Sequence, residues 1–318
     1  MNILSEIQAA HERIKPHIRR TLLEKSLFYS QKSGAEVFLK MENLQHTGSF
    51  KVRGAMNKVL SLSAAELKRG VVTASTGNHG AAVAFSLGQT GAKGIVFVPE
   101  SASPSKVEAI KRLGAEVRHI GEDSVEAENF ARKYAVENDL PFISPYNDPQ
   151  IIGGQGTIGV ELLDQLDQID AVFVSVGGGG LVSGIAGYLK SMRPDIKIIG
   201  CSPHNSQVMI QSVRMGKLVG DLPSLPTLSD GTAGGIEDDS ITFALCRDLV
   251  DEYVTVTEDE IKQTLREFIE THHLLIEGAA AVAIASFLQR QAEFAGQNVV
   301  IVLCGANIGT EALKQVLL

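Results

Sequence analysis

Ala171-Val172-Phe173-Val174-Ser175-Val176-Gly177-Gly178-Gly179-Gly180-Leu181 is the stretch from which the fold can be read. A nearly unbroken apolar run gives way to four glycines and then to a helix-like segment over 181–192. An apolar run without polar alternation is the pattern of a strand covered on both faces, as in parallel sheets. A glycine turn that hands such a strand to a helix is where an open α/β sheet places its ligand. The rhythm repeats outward in both directions. Val71-Val72-Thr73-Ala74 precedes a predicted helix over 78–87, and Ile95-Val96-Phe97-Val98-Pro99 precedes one over 104–113, where Pro104 suits a helix start. Strand-like 117–120 leads to a helix over 124–137, and strand-like 196–201 to a helix over 204–215. Thr257-Glu258-Asp259-Glu260 reads as a capping box opening a late helix, and 298–304 as a last buried strand. Strands alternating with helices of this length make the fold α/β with mostly parallel sheets. The 216–235 loop, rich in Gly, Pro and Ser, is the least regular stretch.

The chain has 318 residues, 44% of them hydrophobic, enough for a large core and roughly two domains. A net charge of −8 argues against a nucleic-acid partner. No apolar run approaches the roughly 20 residues of a membrane span, and the first residues lack a basic stretch followed by an apolar core. Cys201, Cys246 and Cys304 are far apart and lack metal-ligand spacing. The expectation is a reduced, cytoplasmic protein acting on a small molecule, without membrane or nucleic acid.

Four places can carry chemistry. Lys51, in Ser49-Phe50-Lys51-Val52-Arg53-Gly54-Ala55, lies between a strand-like run (36–42) and a helix-like run (55–62). The positive end of a helix dipole and apolar neighbours both lower a lysine pKa, which a Schiff-base-forming amine needs. Taken alone, the segment also suits a surface lysine near a helix terminus. Ser75-Thr76-Gly77-Asn78-His79-Gly80 follows a strand and can offer backbone N–H groups to a carboxylate, or be an ordinary capped turn. The glycines at 177–180 can wrap a phosphate at the start of a helix. Cys304, closing the last strand, can face a heterocycle nitrogen or simply pack as a small hydrophobe. A dinucleotide fingerprint fails, because Ser183 stands where the third glycine belongs and no acid closes the next strand.

Together these segments resemble the threonine dehydratase and serine racemase group of pyridoxal-phosphate (PLP) enzymes, fold type II. Glu42-Asn43-Leu44-Gln45 with Thr47-Gly48-Ser49-Phe50-Lys51-Val52-Arg53-Gly54-Ala55 is similar to that family's Schiff-base motif. The 75–80 loop resembles its asparagine loop, and 177–181 its tetraglycine loop. Gly154-Gln155-Gly156-Thr157 and Leu275-Ile276-Glu277-Gly278 are family-like too. The resemblance runs nearly end to end and extends to the hydroxyectoine-utilisation dehydratases. It implies two open, twisted, mostly parallel sheets flanked by helices. A small domain (55–145) would be inserted in a large PLP-binding domain (1–54 and 146–318). It also implies a homodimer or homotetramer. Because the sequence ends soon after Cys304, the C-terminal regulatory domain of biosynthetic threonine dehydratases is expected to be missing.

The same resemblance assigns roles. Lys51 bonds to the cofactor and later moves the α-proton, and Phe50 packs on the ring. Asn78 bonds the 3′ oxygen, and Gly177, Gly178, Gly179 and Gly180 with Leu181 hold the phosphate. Cys304 faces the pyridine nitrogen, Glu277 lies near the cofactor, and Ser75, Thr76, Gly77, Asn78 and His79 receive the substrate carboxylate. A thiol instead of an anion at the ring nitrogen makes a weaker electron sink, which favours β-elimination over transamination.

Departures narrow the choice within the group. Serine racemases of the eukaryotic type carry a serine at the acid/base position held here by Thr76. They bind a divalent cation through acidic residues in a loop that here reads Cys201-Ser202-Pro203-His204-Asn205-Ser206-Gln207-Val208, without a carboxylate, so no metal is expected. Pro145-Tyr146-Asn147-Asp148 resembles the dehydratases more. The expected activity is elimination of water from a β-hydroxy amino acid, L-threonine or L-serine by default. The alternatives are amino-acid racemisation, with Thr76 as the second acid/base, and dehydration of 3-hydroxyaspartate, phenylserine or a hydroxyectoine-derived substrate.

Overall fold

The computed structural model describes residues 2–220 and 222–318; Met1, and Asp221 within the irregular 216–235 loop, lie outside the described residues. Nine strands among them are β1 (Leu23–Lys25), β2 (Glu36–Lys40), β3 (Val71–Ala74), β4 (Gly94–Val98), β5 (Glu116–His119), β6 (Ala171–Ser175), β7 (Lys197–Pro203), β8 (Glu252–Val256) and β9 (Asn298–Val302). They form a six-stranded sheet in the order β1-β2-β9-β6-β7-β8 and a three-stranded sheet in the order β3-β4-β5. Every pairing is parallel except β1 with β2 at one edge. The fold is α/β, with helices covering the sheets, as the alternating pattern requires.

All five residues of β6 are buried, as is the run from Val299 to Val302 in β9, because helices cover both faces of the larger sheet. On one face the helix Gly278–Arg290 brings Phe287 edge-on to Phe173 at 5.5 Å. On the other, the helices Pro149–Gln165 and Gly180–Met192 cross backbone to backbone. A Cβ on Gly184 would sit 2.5 Å from the Gly156 nitrogen, so only glycine permits that approach. In the smaller sheet alternate residues serve opposite faces. Val71, Val96 and Val98 join one apolar cluster, Val72, Ala74 and Phe97 another.

Some boundaries differ from those expected. The helix carrying Lys51 starts at Lys51 itself (Lys51–Ser61), not at Ala55. The strand before it ends at Lys40, because Glu42–Leu44 turns as a 3₁₀ helix. The helix after β7 starts at Val208, since the strand runs on to Pro203. No helix of the described residues is long and apolar enough to cross a membrane.

The parallel strands β2, β9 and β6 are neighbours, so their carboxyl ends lie side by side. The chain leaving β2 leads to Lys51, that leaving β9 to Cys304, and that leaving β6 to Gly177.

Candidate active site

Lys51 is set in place from both sides along the chain. Before it, Thr47 and Gly48 take left-handed backbone angles (φ 63° and 72°), Ser49 bridges to Gly305, and the Phe50 N–H donates to the Cys304 carbonyl at 3.0 Å. After it, Arg53 is fully buried and forks onto two carboxylates, with Nε 2.8 Å from Glu42 Oε2 and Nη1 2.8 Å from Glu161 Oε1. Lys40 completes the cluster, 2.5 Å from Glu161 Oε2, so two cations meet two anions. A buried cluster of this kind contributes little net stability but enforces one geometry, because each charge is costly without its partners.

The Lys51 amine donates to the Pro145 carbonyl at 2.9 Å and stands 5.3 Å from the centre of the Phe50 ring. Desolvation at this wall disfavours the ammonium and pulls its pKa down to about 8, against the opposing pull of Glu277, Cys304 and Glu128. At pH 7 roughly a tenth of such amines are neutral, against fewer than about one in a thousand for an exposed lysine.

The glycines after β6 form a backbone-walled cup at the start of the helix Gly180–Met192. A Cβ on Gly178 would fall 2.6 Å from the Tyr146 ring, one on Gly177 2.9 Å from Thr232, and one on Gly179 2.7 Å from Cys246 Sγ. Gly179 also has φ +83°, and Thr242 Oγ1 donates to the Gly178 carbonyl at 2.6 Å. Unpaired N–H groups at such a helix start suit a phosphate.

Asn78 opens the helix Asn78–Thr90, and its Nδ2 donates to both Glu277 oxygens, at 3.0 and 2.9 Å. From sequence, the surroundings of Cys304 are expected to lack an anion. In the structure Glu277 Oε1 lies 3.7 Å from Cys304 Sγ, which donates to it. That expectation is corrected. Burial pushes the Cys304 thiol well up and keeps it neutral. Burial also pushes the Glu277 carboxyl up, but Glu277 accepts from Asn78 Nδ2, the Asn307 N–H and Cys304 Sγ, which favour its anion. His79 is buried, its Nε2–H donating to the Ile143 carbonyl at 3.0 Å, and burial pulls its pKa down to about 3. Its ring is therefore neutral and anchored, which leaves the N–H groups of the first helical turn as the loop's donors for a carboxylate. Gly80 allows this tight turn, since a Cβ there would lie 2.2 Å from the Ser75 carbonyl oxygen.

All the candidate residues line one cavity of about 1350 Å³, Thr76 and Leu181 included. The cavity also takes in residues that sequence reasoning left without a role. The Tyr146 hydroxyl accepts from the Glu237 N–H at 3.0 Å, and Arg132 pairs with both Glu128 (2.7 Å) and Glu237 (2.8 Å) at the wall. Only Tyr146 had a local signal, the dehydratase-like stretch around it. A nucleophilic amine, a backbone cup for a phosphate and a neutral thiol at the end of β9 fit the phosphorylated pyridine aldehyde that the resemblance implies.

Comparison with known proteins agrees. Residues 14–305 match the family described as "Pyridoxal-phosphate dependent enzyme". An L-threonine ammonia-lyase of Thermotoga maritima is 40% identical over 317 residues, covering 100% of this chain and 78% of that one. The processed form of threonine deaminase isoform 2 from Solanum lycopersicum superposes with a TM-score of 0.93 at 34% identity, over 99% of this chain and 91% of that one. Maize serine racemase does so with a TM-score of 0.91 at 32% identity, over 99% and 96%. At these identities and over nearly the whole length, the family is settled: this chain is a pyridoxal-phosphate dependent enzyme of fold type II.

Proposed function

We propose that this enzyme, a dehydratase like its relatives, removes water from a β-hydroxy amino acid, L-threonine or L-serine, and yields a 2-oxo acid and ammonium. Bound PLP withdraws electrons from the substrate's α-carbon. The glycine cup at 177–180 with Leu181 holds its phosphate, Phe50 its ring face and Asn78 its phenolic oxygen. The first turn of the Asn78–Thr90 helix binds the substrate carboxylate. Lys51 Nζ takes the α-proton, the β-hydroxyl leaves as water once protonated, and hydrolysis completes the products.

The Cys304–Glu277 pair is the observation that favours elimination. Burial holds the Cys304 thiol neutral, and that thiol occupies Glu277 Oε1, so the group assigned to the ring nitrogen is no anion that would support a build-up of positive charge there. Loss of the hydroxyl as the proton departs is then the easier route. The proposal includes a division into 1–54 with 146–318 around the six-stranded sheet and 55–145 around the three-stranded sheet. It also includes a cytoplasmic homo-oligomer.

Assay of 2-oxo acid release over a panel of β-hydroxy amino acids tests the activity, with L-threonine or L-serine expected to lead. Borohydride reduction followed by peptide mapping should place the pyridoxyl group on Lys51; another lysine would sink the mechanism. Lys51→Ala should keep some PLP through the cup and lose elimination.

A further inference from the structure

Asn307, in the turn after β9, has no part in the chemistry described so far. Its Nδ2 donates to Asn78 Oδ1 at 2.6 Å and to the Thr47 carbonyl at 2.8 Å, while its backbone N–H donates to Glu277 Oε2 at 3.3 Å. One exposed side chain thus ties together the turn before Lys51, the amide of Asn78 and the segment of Glu277. We propose that Asn307 is a positioning residue that fixes which end of the Asn78 amide is presented to the cofactor; this rests on the PLP-binding role proposed for Asn78.

A carboxamide is nearly symmetric in shape and opposite in polarity at its two ends, so only its partners choose its orientation. Here the choice starts from a group that cannot turn, the Thr47 carbonyl. Thr47 is β-branched yet sits at φ 63°, a costly backbone state, and from it the carbonyl accepts from Asn307. If Asn307 flipped, its own oxygen would meet that carbonyl oxygen. With Asn307 so fixed, its Nδ2 meets Asn78 Oδ1. If Asn78 flipped, an NH₂ would meet an NH₂ at one end and an oxygen would meet the Glu277 oxygens at the other. Gly48 keeps the space open, since a Cβ there would lie 2.9 Å from Asn307 Oδ1. Polarity therefore runs in one direction from Thr47 through Asn307 to Asn78, whose N–H end is the one that a phenolate oxygen requires.

The test compares holoenzyme with Asn307→Asp and Asn307→Ala, by PLP dissociation constant and by pH titration of the visible absorption. Asn307→Asp is isosteric but offers only acceptors, so it reverses the polarity at Asn78. The expected result is roughly tenfold weaker PLP binding and a shifted absorption titration for Asn307→Asp, with a smaller change for Asn307→Ala. The cofactor-free variants should unfold at the wild-type temperature. In an Asn78→Ala background, Asn307→Asp should shift the titration no further. Unchanged binding and titration in Asn307→Asp would overturn the proposal, as would an equal further shift without Asn78, or unfolding on mere loss of this exposed side chain. Absence of a visible band in the wild type would instead overturn the PLP role of the site itself.

Discussion

At Lys51 Nζ desolvation favours the free amine, while Glu277, Cys304 and Glu128 favour the ammonium; a pKa of about 8 means desolvation prevails. In the cofactor-free protein, modification of Lys51 by an amine-selective reagent should therefore rise with pH through about 8 and level off above it. The sign follows from the neutral form being the nucleophile. A midpoint near 10, followed by peptide mapping, would show an amine in free water. Thr76 is the other residue whose side chain decides an outcome. Racemisation needs a hydroxyl that can reach the α-carbon from the face opposite Lys51, and the extra methyl of threonine stiffens χ1. With an L-β-hydroxy amino acid, 2-oxo acid should exceed D-isomer by a wide margin, as chiral chromatography beside a keto-acid assay can read. Thr76→Ser should raise the D-isomer yield and Thr76→Ala lower it, with elimination largely kept. Loss of both in Thr76→Ala would point to substrate binding.

The helix Lys51–Ser61 is held less by its own propensity than by Arg53, whose guanidinium reaches Glu42 and Glu161 at once. Arg53→Leu strands two buried carboxylates with only Lys40 and should cost about 3–5 kcal/mol in chemical denaturation of the cofactor-free protein. A loss under about 1 kcal/mol would mean that water already reaches the cluster. Elements differ in how far sequence revealed them, and the reason is locality. The glycines at 177–180 announce a turn by themselves, and the capping box of Thr257 and Glu260 forms as read. The helix Pro149–Gln165 has a start signal in Asp148 and Pro149 but little to sustain it, because Gly153, Gly154, Gly156 and Gly159 lower its local propensity. Those glycines serve distant partners: a Cβ on Gly154 would sit 2.5 Å from the Arg53 carbonyl oxygen. At the site, the glycine cup was legible because it makes its chemistry from adjacent residues. Lys51, which by its own segment also suits a surface lysine, stood out only beside the other segments, since Pro145, Glu277, Cys304 and Glu128 set its chemistry. Glu277 emerged only through resemblance and Asn307 not at all, since their meaning lies in contacts with Asn78 and Thr47 far away in sequence.

The two sheets carry separate apolar clusters, and the cavity is bridged at its wall by Arg132–Glu237 (2.8 Å) and Lys106–Asp230 (3.9 Å). At this scale the sequence loop at 201–208 has a functional consequence, because Ser202, Ser206 and Val208 supply no carboxylate for a hard cation. Among the described residues no group of three His, Cys, Asp or Glu side chains is placed to hold a metal. Elimination should accordingly survive exhaustive chelation; strong activation by magnesium or calcium would reveal a site elsewhere. Arg53 finds Glu161 across 108 residues of sequence. During synthesis, at roughly 5–20 residues per second, the nascent chain waits on the order of ten seconds between making the lysine and making the partner that seats its helix. Through that interval Lys51 is an ordinary hydrated ammonium, slow toward passing aldehydes because so little of it is free amine, and the free fraction rises on the order of a hundredfold when the chain folds around it.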